Sequence, residues 1–146
     1  MVPEYQSARC QSAQHRNGLQ EVSRAVLDPL VAAADLNLLH RDIKPANIML
    51  NWLSTGKFQA KVLDFGLAKF SEKPQMQTLD QKGFFLGSID FLSPDQLLCL
   101  PLDQRSDLYS LGCTLYFMLT GRAVFPEGNA LQNMFSHSSS DPPDPR

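Results

Sequence analysis

Two short segments hold the side chains best suited to chemistry: His40-Arg41-Asp42-Ile43-Lys44-Pro45-Ala46-Asn47 and, further along, Asp64-Phe65-Gly66. Their residue types suit phosphoryl transfer, a reaction that asks little covalent work of a protein and is catalysed mainly by positioning and charge neutralisation. A carboxylate must meet the incoming hydroxyl, the role that fits Asp42. Hard Mg²⁺ ions that bridge phosphates take oxygen ligands, here the Asn47 amide and the Asp64 carboxylate. Lys44, two residues from Asp42, supplies a positive group that can reach the transferring phosphate. Loops held by a hairpin can converge these groups on one phosphate, whereas residues along a single helix could not.

The surrounding pattern predicts such a frame. Leu19, Val22, Ala25 and Val26 recur at helical spacing until Asp28-Pro29 interrupts them like an N-cap followed by proline at the first helical position. The expectation is one kinked helix or two short ones before residue 38. The second piece, Leu30 to Leu36, closes at Asn37, which tolerates a left-handed cap. Ile48-Met49-Leu50, a turn at Ser54-Thr55-Gly56-Lys57 and alternation from Phe58 to Phe65 predict a small hairpin between the two chemical segments. Phe58, Ala60 and Val62 fall on one side of it, with Asp64 as a further candidate for that side. Residues 71 to 90 predict a long irregular stretch. Pro94 starts a short helix, and Asp107 is placed to cap a strongly apolar one that ends at Thr120-Gly121. The run from Leu108 to Leu119 reads as a buried core helix, too short for a bilayer. Residues 1–17 read as a poorly ordered lead-in, 18–135 as the folded part and 136–146 as a disordered tail. His15 and His137, in the polar end segments, carry no expected role.

The chain resembles the C-terminal lobe of a eukaryotic-type, bacterial-like Ser/Thr protein kinase. The resemblance runs from about Leu38 to Pro126 and rests on H-R-D-x-x-x-x-N and D-F-G. It also rests on Gly87-Ser88, on Ser93-Pro94-Asp95 and on Asp107-Leu108-Tyr109-Ser110-Leu111-Gly112. It implies an α+β fold, mainly α-helical with a small β-hairpin, and ATP and Mg²⁺ as cofactors. Lys44 with Pro45 implies a protein serine or threonine as the acceptor. It further implies catalytic roles for Asp42, Lys44 and Asn47, cofactor contacts from Lys44, Asn47 and Asp64, and metal binding by Asn47 and Asp64. Arg41 is expected to receive a phosphorylated residue of the following segment, with Thr78 and Ser71 as candidates and Ser88 as a regulatory hydroxyl. His40 and Asp107 are expected to support the loop structurally.

Three departures stand beside it. Asp95 replaces the family's glutamate, Ser88 replaces a threonine, and the helix before the loop is interrupted at Pro29. No G-x-G-x-x-G and no V-A-I-K-type lysine occurs in the sequence. The expectation is therefore that the N-lobe is absent, that a missing N-lobe segment is a partner, and that the chain alone is inactive. A non-enzymatic kinase-like binding or regulatory module, or a gene remnant, stays open as the alternative. The net charge of -2 and the lack of any basic run give no reason to expect nucleic acid or an anionic membrane as partner. Three cysteines far apart, Cys10, Cys99 and Cys113, suggest reduced thiols in a cytoplasmic protein rather than a disulfide frame or zinc site.

Overall fold

The computed structural model describes residues 13–54, 58–63, 69–70, 89–126 and 129–145. Helix α1 (Ala13–Asp35) opens the described chain and leads through β1 (Leu38–Leu39) to a 3-10 turn at Pro45–Asn47. Strands β2 (Ile48–Trp52) and β3 (Phe58–Val62) follow, then β4 (Lys69–Phe70) and a second 3-10 turn at Ile89–Phe91. Helices α2 (Pro94–Leu97), α3 (Gln104–Thr120) and α4 (Ala130–Ser139) complete the order. Two antiparallel pairs form: β1 with β4, and β2 with β3 in a register from Ile48 opposite Val62 to Trp52 opposite Phe58.

The sequence predicts one kinked helix or two short ones around Pro29, and α1 forms one helix of 23 residues with Pro29 inside it. A proline inside a helix costs about 3 kcal/mol. Here Val22, Val26, Leu30 and Ala33 form one continuous stripe of buried side chains, and each large one contributes about 1.5–3 kcal/mol on burial. The apolar face therefore outweighs the missing backbone bond, and α1 packs on β3 and α3. The helix also begins at Ala13, inside the stretch expected to be a poorly ordered lead-in. At its far end Asn37 adopts φ 54°, the left-handed conformation that its residue type accommodates.

Helix α3 differs from its expected character in two ways. Its N-cap is Asp103, whose carboxylate accepts from the Arg105 N–H, so Asp107 lies inside the first turn and is not the cap. Its buried face lies within the expected run but is partly polar: Leu108 and Leu119 at the ends of the run are exposed, while Ser106, Asp107, Ser110, Leu111, Cys113 and Thr114 are buried. Small hydroxyl residues let neighbouring elements approach closely, and two of the three satisfy themselves along the helix, Ser106 Oγ being buried without a partner. Ser110 Oγ donates to the Ser106 carbonyl and Thr114 Oγ1 to the Ser110 carbonyl. Gly121 closes α3 at φ 71°, the left-handed C-terminal cap that glycine supplies without strain.

Helix α4 corrects the reading of a disordered tail from residue 136, since it continues to Ser139. An Asn129–Gln132 capping box starts it, and His137 is 4% exposed rather than solvated. Tyr109 Oη lies 2.7 Å from His137 Nδ1, and the Phe125 ring meets the imidazole edge-on at 5.0 Å. Burial pushes the Tyr109 hydroxyl and the Cys113 thiol up, the latter to about 11, and pushes His137 below the usual histidine value. The central cluster joins Val22, Val26 and Leu30 of α1 to Ile43, Ile48, Ala60 and Leu111. The small hairpin and the loop before it are thereby anchored on α1 and α3. Among the described residues no helix is long and apolar enough to cross a membrane.

Candidate functional site

Between β1 and β2 the chain alternates anchors with available groups. Leu39, His40 and Ile43 are buried at 1%, 0% and 1% exposure, whereas Asp42, Lys44 and Asn47 are half-buried. Ile43 is the apolar plug that ties this loop to the core. On either side of it the loop presents its carboxylate and its amine.

Those two groups meet. Lys44 Nζ lies 2.9 Å from Asp42 Oδ2, and Asn47 Nδ2 donates to the same oxygen at 2.9 Å and to the Asp42 carbonyl at 2.8 Å. The 3-10 turn at Pro45–Asn47, with proline at its first position, folds the chain back far enough for the Asn47 amide to reach Asp42. With its nitrogen committed to Asp42, Asn47 presents its amide oxygen as the atom with the right chemistry for a hard cation.

The loop is held from beneath by Asp107. One carboxylate oxygen accepts from the His40 N–H and the other from the Arg41 N–H, both at 2.8 Å. Burial pushes the Asp107 carboxyl above the ordinary carboxylate range, and the two N–H donors pull the opposite way. A buried carboxylate is tolerable only when it is hydrogen-bonded in this manner.

His40 has both ring nitrogens engaged, which sets its tautomer. Nδ1 accepts from the Asp42 N–H at 3.3 Å, so the proton sits on Nε2, 3.1 Å from the Leu63 carbonyl. The Leu63 N–H in turn donates to the Asn47 carbonyl at 2.8 Å. Both peptide groups of the residue preceding Asp64 are thus fixed by the loop. Asp64 itself, with Ser71, Thr78 and Ser88, lies outside the described residues.

Arg41 adopts φ 66°, an uncommon conformation for a residue with a Cβ, and its Nε is buried without a hydrogen-bond partner. Gln96 of α2 donates to the Arg41 carbonyl at 2.8 Å. Gln96, the Leu63 backbone and the Tyr109–His137 contact are absent from the sequence-derived site. Only the first leaves a signal, since Ser93 followed three residues later by Gln96 is a capping-box spacing.

The family model for the protein kinase domain matches residues 6–141. The chain belongs to the protein kinase domain family. Among similar kinases, the serine/threonine-protein kinase pkn2 of Myxococcus xanthus is 39% identical over 116 residues, covering 80% of this chain and 14% of that protein. The serine/threonine-protein kinase Pkn1 of the same organism is 38% identical over 120 residues, covering 82% of this chain and 17% of that one. The serine/threonine-protein kinase PknB of Mycobacterium tuberculosis is 37% identical over 105 residues, covering 72% of this chain and 16% of its relative. The chain thus spans less than a fifth of each of these kinases. Its largely helical make-up with a small antiparallel hairpin is consistent with a piece of a kinase domain.

Proposed function

We propose that this chain is the C-terminal-lobe, catalytic-loop part of a Ser/Thr protein kinase that transfers phosphate from Mg-ATP to protein serine or threonine hydroxyls. The observation that carries this reading is the Asp42 carboxylate. It is gathered against Lys44 and Asn47 within 2.9 Å, on a loop fastened to Asp107. In this reading Asp42 orients the acceptor hydroxyl and takes its proton, a contribution of roughly 10²–10⁴ in rate. Lys44 would reach towards the transferring phosphate, and Asn47 with Asp64 would hold Mg²⁺, whose charge would offset that of the phosphates. Arg41, with its unpartnered buried Nε, is the group for a phosphorylated Thr78 or Ser71, and Ser88 is a regulatory hydroxyl. The Mg-ATP site is shared with an N-lobe that supplies the glycine-rich loop and its lysine, neither of which this sequence contains. The same gap favours a second reading, a kinase-like binding module without activity of its own.

Phosphotransfer distinguishes them. Alone, the chain is expected to leave a basic protein unlabelled by radioactive ATP. Joined to the ATP-binding lobe of one of its relatives, it is expected to label serine or threonine, and Asp42→Asn to cut the rate about 10³-fold. A well-folded fusion that binds nucleotide but transfers nothing would establish the non-enzymatic reading instead.

A further inference from the structure

We propose that Gln96 is a positioning residue for the catalytic loop, holding the peptide bond that leads into Asp42 and so coupling the start of α2 to the site. The role as catalytic positioning rests on the kinase reading above; the mechanical coupling does not.

The Gln96 amide is oriented without ambiguity. Its Oε1 accepts from the Ser93 N–H at 3.0 Å, while its own backbone N–H donates to Ser93 Oγ at 3.3 Å. With the oxygen fixed against a donor, Nε2 is the atom facing the Arg41 carbonyl, 2.8 Å away and 55 residues distant in sequence. Ser93, at 1% exposure, anchors this arrangement in the protein interior.

The peptide between Arg41 and Asp42 is consequently held at both edges, its carbonyl by Gln96 and its N–H by His40 Nδ1. The preceding peptide is held through the Arg41 N–H by Asp107. This matters because Arg41 sits at φ 66°, a conformation that persists only where surrounding contacts over-determine it. Rotation of the Arg41–Asp42 peptide would change ψ of Arg41 and φ of Asp42, and so turn Asp42 relative to Lys44 and Asn47. Asp107 and His40 each secure an N–H; among the described groups Gln96 is the donor that secures the carbonyl. A shift of the turn that begins α2 would therefore be transmitted to Asp42.

Two variants separate this role from simple helix capping. Gln96→Glu keeps an acceptor for the Ser93 N–H, as capping boxes commonly use glutamate, but offers no proton to Arg41 at neutral pH. Ser93→Ala weakens the cap and leaves the Gln96 donor in place. Amide hydrogen exchange by NMR on the full 146-residue chain reads both. In Gln96→Glu the Asp42 amide is expected to exchange roughly tenfold faster, the effect of losing one hydrogen bond. Val26 and Ile48 should lose less protection than Asp42, and the thermal midpoint should fall by only a few degrees. In Ser93→Ala the Gln96 amide should lose protection while Asp42 retains it. Unchanged Asp42 exchange in Gln96→Glu, or acceleration shared equally by Val26 and Ile48, would overturn the proposal. In the active fusion, Gln96→Glu should lower kcat with KM unchanged. A fusion that transfers no phosphate even with Gln96 intact defeats the kinase reading but leaves the exchange result standing.

Discussion

The loop from His40 to Asn47 and the docking of α4 against α2, the Ile89–Phe91 turn and Tyr109 both bury polar side chains, and they finish the task differently. In the loop, the Asp107 oxygens and both His40 nitrogens find partners, all of them backbone groups, and Arg41 Nε is the exception, buried without one. Where α4 docks, Tyr109 meets His137 at one nitrogen, yet His137 Nε2 and Asn133 Oδ1 are buried without partners. Asn133 reaches Asp90 through its nitrogen alone. Because an unsatisfied buried group costs about 1–3 kcal/mol, the first region should be stiff and the second close to yielding. The groups that set the loop backbone, Asp107 and His40, are fully paired, while two that dock a helix are tolerated in deficit.

Breaking the stiff region should have the largest effect. Asp107→Ala leaves two N–H groups of the loop unpaired and is expected to cost about 4 kcal/mol, read as a drop in urea midpoint with loss of protection at the His40 and Arg41 amides. A loss under about 1 kcal/mol would mean that the loop does not depend on its carboxylate.

The α4 contact should yield to acid. Burial lowers the His137 pKa from its ordinary 6.5, so the folded state binds fewer protons than the unfolded one at mildly acidic pH. Stability from this group is complete above pH 6.5 and declines as pH falls below it. The Asp90 charge opposes the shift without reversing it. Urea midpoints at about pH 7.5 and about pH 5.5 should differ, and the difference should shrink in His137→Gln. His137→Ala should cost about 2 kcal/mol at neutral pH through lost packing and an orphaned Tyr109 hydroxyl. An unchanged pH dependence in His137→Gln would remove the distinction between the two regions.

Smaller effects calibrate the scale. Gly121→Ala should cost about 1 kcal/mol from its positive φ, since no atom lies within 4 Å of the added methyl group. Arg105→Ala removes an ion pair whose arginine is 86% exposed and should leave the melting temperature where it was.

The clustering of Asp42, Lys44 and Asn47, with His40 and Asp107 beneath them, was more legible in the sequence than the rest of their surroundings. Asp42, Lys44 and Asn47 announce themselves by type and spacing, and the β2–β3 hairpin by alternation around a Gly-containing turn. Pro29 leaves one helix or two open because local propensity says stop while the buried stripe of α1 says continue, and the stripe depends on partners distant in sequence. Asp107 reads as a cap because an acidic residue before an apolar run usually is one. Asp103, four residues earlier, takes that role and frees Asp107 for the loop. Gln96 and His137 are unremarkable letters whose contacts span 55 and 28 positions, a range at which no periodicity speaks.

The pairing of β2 with β3 carries one more consequence. Asn47 and Leu63 are joined at the base of the hairpin, while Trp52 opposite Phe58 is the pair nearest its tip. The spacing between the two chemical segments along the chain is therefore not what sets their distance in space. The hairpin behaves as a closed clasp whose free end can be lengthened: residues inserted after Ser54 should leave the Leu63-to-Asn47 bond intact. That end is a natural place to attach a probe, or to accept the insertions and deletions that drift brings, without disturbing the groups at the base.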